Sequence, residues 1–112
     1  MKTPMLNRPL LLDERVRTPD GAGGFTETWT PLGTLWAELK AGTGREKSAD
    51  LATLSRAPYR ITVRAAPQDA PSRPKAGQRF LDGGRVFAIL AVVDAGTDGR
   101  FLACNAVEEV VT

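Results

Sequence analysis

The sequence contains no histidine and only one cysteine, Cys104, in 112 residues. Histidine is the commonest general base of enzymes, and its unperturbed pKa lies nearest to neutrality. A zinc site of the usual Cys/His kind and an internal disulfide both need residues that the chain lacks. We therefore expect a protein that is not an enzyme, with no catalytic residue, no metal site and no cofactor. The apolar neighbours of Cys104 predict a buried thiol rather than a nucleophile.

Long apolar runs are also missing. No stretch approaches the ~20 residues that a membrane-spanning helix needs. The leucines near the start are interrupted by Pro4, Arg8 and Pro9, and no small-residue cleavage site follows them, so we expect neither a signal peptide nor a membrane partner. A chain of this length fits one domain, which we place over 1–112 with a loose arm at 1–8.

Strand periodicity is the strongest pattern that is present. The stretch 24–39 holds both tryptophans and alternates its side chains in each half, which predicts two strands broken by a polar corner at 30–34. The clearest single strand is 59–65, with one apolar and one polar face. The strand 85–94 is apolar on both faces, so we expect it to be central and covered on two sides. Aromatic residues at strand spacing are predicted to be core: Trp29, Trp36, Tyr59, Phe80, Phe87 and Phe101.

Turn signals separate these strands. Asp-Gly pairs at 20–21, 82–83 and 98–99 predict hairpins. Prolines within 66–77 predict an extended connection that makes no strand-to-strand hydrogen bonds. The whole pattern predicts an all-β fold, a small antiparallel β-barrel or sandwich of about six strands.

A polar insertion at 42–58 interrupts the strands. It opens with glycines and closes with a proline, and 46–54 has helix formers enough for about two turns. We predict one long loop or short helix here. Loops longer than about 12 residues in compact domains are usually functional or disordered, so we expect function to depend on this segment.

Two arginines, Arg60 and Arg64, share the polar face of the strand 59–65. Guanidinium groups in a row bind phosphates or a neighbour's carboxylates, or are simply solvated, and all three interpretations stay open. Residues 56–85 carry seven cations and two carboxylates, whereas residues 86–112 carry one cation and four carboxylates. Such asymmetry suits nucleic-acid contact or a self-complementary subunit.

The order of these features resembles the phage head–tail joining family. The resemblance is carried, in order, by the Asp-x-x-Gly-Gly turn at 20–24, Thr-Glu-Thr-Trp at 26–29, Leu-Trp-Ala-Glu at 35–38, Gly-Arg-Glu at 44–46, the strand 59–64, Asp-Gly-Gly at 82–84 with Phe87 and Ile89, and Leu102 with Cys104. Together they cover nearly the whole chain. The proline-rich segment 66–77 is longer than the family's pattern.

This resemblance implies a head-closure, or stopper, subunit of a virion or phage-like particle assembled in the bacterial cytoplasm. Such a β-barrel forms a homo-oligomeric ring, a hexamer or a dodecamer. Its implied partners are adaptor and portal proteins, a tail terminator or tail tube protein, and double-stranded DNA in the channel, with no small-molecule substrate. The arginine-rich, lysine-poor composition is similar to that of the versions carried by gene transfer agents.

The resemblance also implies roles for the long loop. In the family this loop can project toward the channel, and we expect the loop of this chain to retain or gate packaged DNA there. Carried over to this sequence, the hinge and the channel-facing charges are Gly42, Gly44, Arg45, Glu46, Lys47 and Asp50. Two alternatives stay open: a tail-terminator or adaptor subunit of the same connector, and a small nucleic-acid-binding β-barrel.

Overall fold

The computed structural model describes residues 3–42 and 56–109, except for the side chain of Arg56. Its six strands are β1 (Arg8–Pro19), β2 (Phe25–Ala41), β3 (Arg56–Arg64), β4 (Arg79–Asp82), β5 (Arg85–Asp94) and β6 (Phe101–Glu109). All neighbouring strands are antiparallel, and the order β1-β2-β3-β6-β5-β4 closes into a barrel. This confirms the all-β prediction and gives the barrel rather than the sandwich.

The described residues contain no helix, and hence none long and apolar enough to cross a membrane. The short helix predicted at 46–54 lies outside the described residues. The predicted connection at 66–77 forms no strand, and the turn at 20–24 is closed by the Asp20 carboxylate, which accepts hydrogen bonds from the N–H groups of Ala22 and Gly24. These two bonds lower the pKa of Asp20.

The core lies inside the barrel and is formed by alternate residues of each strand. Its fully or almost fully buried members include Leu10, Leu12, Ile61, Val63, Phe80, Phe87, Leu102 and Cys104. Alternation works because successive side chains of a strand point to opposite faces, so a closed sheet needs only one apolar face. The edge of the Tyr59 ring packs against Phe87, with 5.1 Å between the ring centroids.

The polar corner predicted at 30–34 is wrong, because β2 is one strand of 17 residues. β1 pairs with it throughout, and the register shifts once, so that Leu12 is opposite Gly33 and Asp13 is opposite Pro31. Leu32 is therefore the extra residue of a bulge, which bends a strand without ending its ladder. Gly33 adopts a φ of 139° there, a backbone conformation that other residues rarely adopt.

The expectation that 85–94 is covered on both faces is also wrong. β5 does lie between β4 and β6 in the ladder, but Leu90 is 58% exposed and Val93 is 50% exposed. A barrel has a single interior, and no layer of described residues covers this part of its outer surface. Leu90 is the extra residue of a second bulge, between Ile89 and Ala91.

The aromatic residues do not all belong to the core. Phe80, Phe87 and Phe101 are buried, as predicted, but Trp36 is 57% exposed because its neighbours Leu35 and Ala37 point inward. Trp29 and Tyr59 are partly buried. The guanidinium carbon of Arg79 lies 3.9 Å from the centroid of the Trp29 ring.

Residues 3–7 precede β1 and lie over the outer face of the barrel. Leu6 packs against Ala95, Phe101 and Ala103, so Phe101 is buried although it points away from the main core. The N–H of Met5 donates a hydrogen bond to the carboxylate of Glu38, 2.9 Å away. The described part of the predicted arm thus contacts the sheet, and Arg8 belongs to β1.

One hairpin extends beyond the barrel. β3 pairs with β2 only over Ala37–Ala41, and β4 pairs with β1 only over Leu11–Asp13. Within the described chain, residues 14–19 and 25–30 therefore pair only with each other. We call these two segments the ribbon. Six residue pairs make it ~20 Å long.

Candidate functional site

The two ends of the segment 43–55 are held together by the barrel. The N–H of Gly42 donates a hydrogen bond of 2.7 Å to the carbonyl oxygen of Pro58, next to the Ala41–Tyr59 pair of the ladder. A Cβ atom on Gly42 would lie 3.0 Å from the Cβ and Cγ atoms of Pro58. Glycine therefore suits this position because another chain segment comes very close. The remaining predicted loop residues lie outside the described residues: Gly44, Arg45, Glu46, Lys47 and Asp50.

A polar cluster stands at the same end of the barrel. The Nε and Nη2 atoms of Arg85 donate hydrogen bonds of 2.7 and 3.0 Å to the two carboxylate oxygens of Glu108, and Nη2 also donates to the Tyr59 hydroxyl at 3.0 Å. The guanidinium carbon lies 5.0 Å from the centroid of the Phe87 ring. We call Tyr59, Arg85 and Glu108 the loop-base cluster.

The loop-base cluster connects three strands, β3, β5 and β6, where the loop leaves the barrel. The hydrogen bonds with Glu108 raise the pKa of Arg85, and those with Arg85 lower the pKa of Glu108, so both groups stay charged at neutral pH. A bidentate pair also fixes the relative orientation of its two side chains. Arg8 and Asp82 form a further ion pair at this end, between β1 and β4. The loop thus starts from a firmly held base.

Sequence reasoning missed the loop-base cluster. Arg85 and Phe87 have the same strand parity, so the charged side chain lies on the inward-facing side of β5, in a strand that sequence analysis treated as apolar on both faces. Glu108 is 23 residues away from Arg85, and only the strand register brings them together. The signal that was available is a cation at the inward end of a strand, which needs a nearby anion.

The structure places Arg60 and Arg64 on the outer surface of β3 but not in one site. They are separated along the strand by Thr62, which is buried in spite of its outward position. The guanidinium carbon of Arg64 lies 5.9 Å from the ring centroid of Phe101. Arg60 is exposed and stands directly opposite Lys40 of β2.

The Lys40–Arg60 pair is an exposed cationic site. Like charges directly opposite each other on neighbouring strands are destabilising, and neither side chain has a carboxylate partner within the described part of the chain. Both border a groove of about 670 Å³ whose other charged lining residues are Arg8 and Glu38, so three cations and one carboxylate face it. The site would suit an anionic group, such as a phosphate or a carboxylate.

The described residues offer little for catalysis. Across 3–42 and 56–109, no group of three or more Cys, Asp or Glu side chains is placed to hold a metal ion. Cys104 is fully buried, and this burial raises the pKa of its thiol to about 12. A thiol with so high a pKa is protonated at neutral pH and is a poor nucleophile.

Comparison with known proteins assigns this barrel to a family. The sequence model described as phage head completion protein matches residues 1–109. The chain belongs to the phage head completion protein family. This confirms the resemblance to phage proteins of the head–tail junction.

Solved structures agree with the assignment. This head completion protein is 48% identical to a chain of the virion of a native gene transfer agent (GTA) particle, over 98% of its own length and 100% of that chain, with a TM-score of 0.83. It also matches a protein of Shigella flexneri 2a, solved in solution, at 24% identity over 96% of each chain and with a TM-score of 0.69. The second likeness shows the fold alone. A search of curated proteins finds no match.

Proposed function

We propose that this head completion protein is a stopper, or head-closure, subunit that forms a ring between the portal–adaptor complex and the tail. Its structural role in completing a phage-type head follows from the family. The observation that carries the finer assignment is the match of 48% identity to the full length of a chain in a GTA virion. We place the protein in the same kind of particle, as a homo-oligomeric hexamer or dodecamer that contacts portal, adaptor and tail proteins.

The loop 43–55 is the proposed element that retains or gates DNA. Both of its ends are fixed side by side, so its thirteen residues can reach at most about half of their extended length, ~20 Å, from the barrel. That reach is comparable to the width of a DNA duplex, and a ring of such loops would close or open a channel by rearrangement. Arg45, Glu46, Lys47 and Asp50 would face the DNA. The tight contact of Gly42 with Pro58 favours movement that starts at Gly44.

The Lys40–Arg60 pair supports a contact with an anionic neighbour, either the DNA backbone or a carboxylate of an adjacent subunit, and Arg64 is a further candidate on the same face. A free nucleic-acid-binding barrel is the alternative that this pair favours. It would bind short duplex DNA with an affinity that falls steeply between 50 and 200 mM salt. Arg60→Ala should weaken such binding, and Arg100→Ala, which removes an exposed cation from the β5–β6 turn, is the matched control.

The alternative roles for this chain within the connector are those of an adaptor subunit and of a tail-terminator subunit. A helix-rich protein would favour the adaptor, whereas the described residues contain strands and no helix. This supports the stopper over the adaptor.

The proposed function is tested in producing cells that lack the chain. Their particles should be tailless or should lose DNA, measured as nuclease-protected DNA per head. Cells that express the chain without residues 46–54 should give particles that contain the subunit but leak DNA. Replacing 46–54 by a Gly/Ser segment of equal length separates loop chemistry from loop length. Particles that retain DNA normally without the loop would rule out gating.

A further inference from the structure

The N-terminal arm, residues 3–7, forms one wall of a groove on the outer face of the barrel. The N–H of Met5 donates a hydrogen bond to the carboxylate of Glu38 on β2, and Leu6 packs against Ala103 on β6. Beside the arm, the outer faces of β2 and β3 form the floor of the groove of about 670 Å³. We call this concave site the arm groove. Ligand sites in proteins are commonly concave and of about 300–1,000 Å³.

The strand pairing divides the groove floor into two rows. In the first row Glu38 is opposite Thr62, and Thr62 is opposite Ala103. The arm contacts both ends of this row, and Thr62 between them is buried. In the next row toward the loop, Lys40 is opposite Arg60, and both side chains are exposed. The arm groove therefore has one covered row and one open, cationic row.

The two cations of the open row have no partner, whereas the other charges of the groove do. Neither Lys40 nor Arg60 makes a hydrogen bond or an ion pair within the described residues. Arg8 forms an ion pair with Asp82, and Glu38 accepts the hydrogen bond from the arm. Residues directly opposite each other on antiparallel strands have Cα atoms about 5 Å apart, so one anionic group can contact both cations. A bound anion would also offset the repulsion between them.

The lining of the arm groove favours a peptide over nucleic acid. Proteins bind duplex DNA through many phosphate contacts, whereas this groove offers two unpaired cations and places the carboxylate of Glu38 in the adjacent row. The arm wall includes the apolar side chains of Pro4 and Met5, and Met5 is 63% exposed. A peptide can present a carboxylate and an apolar side chain next to each other. A phosphate backbone presents charge alone.

Most carboxylates of the described chain already have partners. Within that part of the chain, Asp69 and Asp94 are the two that make no hydrogen bond or ion pair. Asp69 lies in a turn that is closed by a hydrogen bond from the N–H of Ala70 to the carbonyl oxygen of Pro67. Asp94 pairs with Leu102, so it belongs to the inward-facing side of β5. Neither is placed on an extended segment that could enter the groove of a second copy, which favours a different protein as the partner.

We propose that the arm groove binds an extended acidic segment of a second protein, with a carboxylate held between Lys40 and Arg60 and an adjacent apolar side chain against Met5. The inference rests on the proposed function, in which this cationic pair meets an anionic neighbour, and it names that neighbour as a protein of the particle other than this chain. Charge-assisted hydrogen bonds from two cations to one carboxylate are strong, and they orient the bound segment.

Zero-length cross-linking of particles tests this contact. A water-soluble carbodiimide joins a lysine amine to a carboxylate without a spacer, so it links groups that are in direct contact. We expect mass spectrometry to find Lys40 joined to an Asp or Glu side chain of a different particle protein. Lys40→Arg is the matched control, because it keeps the positive charge but has no amine to couple. The link should disappear in this variant, and the amount of particle-bound chain should not change.

Peptide binding to the purified chain gives an independent readout. The probes are a fluorescent peptide of sequence Gly-Leu-Glu-Asp-Leu-Gly and its uncharged counterpart Gly-Leu-Gln-Asn-Leu-Gly, and binding is followed by fluorescence anisotropy. The acidic peptide should bind about tenfold more tightly than the uncharged one. Arg60→Ala should remove most of this difference. Arg100→Ala, which removes an exposed cation outside the groove, should leave it unchanged. Circular dichroism of both variants checks that folding is unchanged.

The outcomes separate the groove from the proposed function. Equal binding of the two peptides would overturn the inference, as would tighter binding of short duplex DNA that is lost in Arg60→Ala. Lys40 links confined to carboxylates of this chain, including Glu46 and Asp50, would also overturn it, and so would an absence of Lys40 links in particles that hold the chain. In each case a ring seen by microscopy would keep the stopper assignment. Particles without the chain would refute the proposed function, while the peptide titration would still test the groove.

Discussion

Gly42→Ala tests whether the loop base depends on a close contact. The new Cβ would lie 3.0 Å from the Cβ and Cγ atoms of Pro58 and 3.1 Å from its carbonyl oxygen, whereas carbon atoms pack best at about 3.5–4.0 Å. A proline ring and a backbone oxygen cannot move aside by changing rotamer. Such overpacking costs about 1–3 kcal/mol, against a gain of about 0.4–1 kcal/mol from a stiffer unfolded chain. We expect a net loss of about 1 kcal/mol in the free energy of unfolding.

Urea unfolding of the purified chain, followed by tryptophan fluorescence, measures this loss. Gly84→Ala is the matched control, because a Cβ there meets no atom within 4 Å and the φ of Gly84 lies outside the left-handed region. It should gain about 0.4–1 kcal/mol. With a slope of about 1–3 kcal/mol per molar urea, the two midpoints should differ by roughly 1 M. If Gly42→Ala proved as stable as Gly84→Ala, the contact would not constrain the loop base.

Three further predictions concern the barrel. Pairing with Arg85 lowers the pKa of Glu108, so Glu108 contributes its full stabilisation above pH 4.5, its ordinary pKa, and loses it as the pH falls through the lowered pKa. Glu108→Gln should therefore flatten the fall of the urea midpoint below pH 5. An unchanged slope would contradict the Arg85 pairing. A thiol reagent at pH 8 should modify Cys104 only after unfolding, because burial raises its pKa to about 12; rapid native labelling would argue against this burial. Phe87→Ala should lower the free energy of unfolding by about 3–5 kcal/mol, because Phe87 is fully buried. Phe25→Ala should lower it by less than about 0.5 kcal/mol, because Phe25 is 58% exposed. Equal losses would contradict the barrel core.

Local patterns predicted most of the strands. Alternation identified β3, and Asp-Gly turns located the hairpins at 20–24 and 82–85, because both signals depend on residues close in sequence. The same local reasoning failed at 30–34, which was interpreted as a polar corner between two strands. β1 stays paired across the irregularity, so the strand accommodates it as a bulge.

Long-range pairing explains what the sequence did not reveal about the candidate site. Arg85, Glu108 and Tyr59 meet only after the register of three strands is set. The exposure of Trp36 and the burial of Thr62 depend on which outer faces are covered, and periodicity does not distinguish a covered outer face from an open one. The resemblance to the phage head–tail joining family came from the order of many short motifs rather than from a catalytic or ligand-binding pattern, and the family model over residues 1–109 then gave the assignment. The channel roles of Gly44, Arg45, Glu46, Lys47 and Asp50 stay predictions.

Cryo-electron microscopy of the head–tail junction tests the central claim most directly. Particles from cells that express the chain are compared with particles from cells that lack it. We predict a ring of six-stranded barrels of this chain between the portal–adaptor complex and the tail, and its loss in the second preparation together with tailless or DNA-leaking heads. Identical junctions in both preparations would contradict the assignment as a stopper subunit.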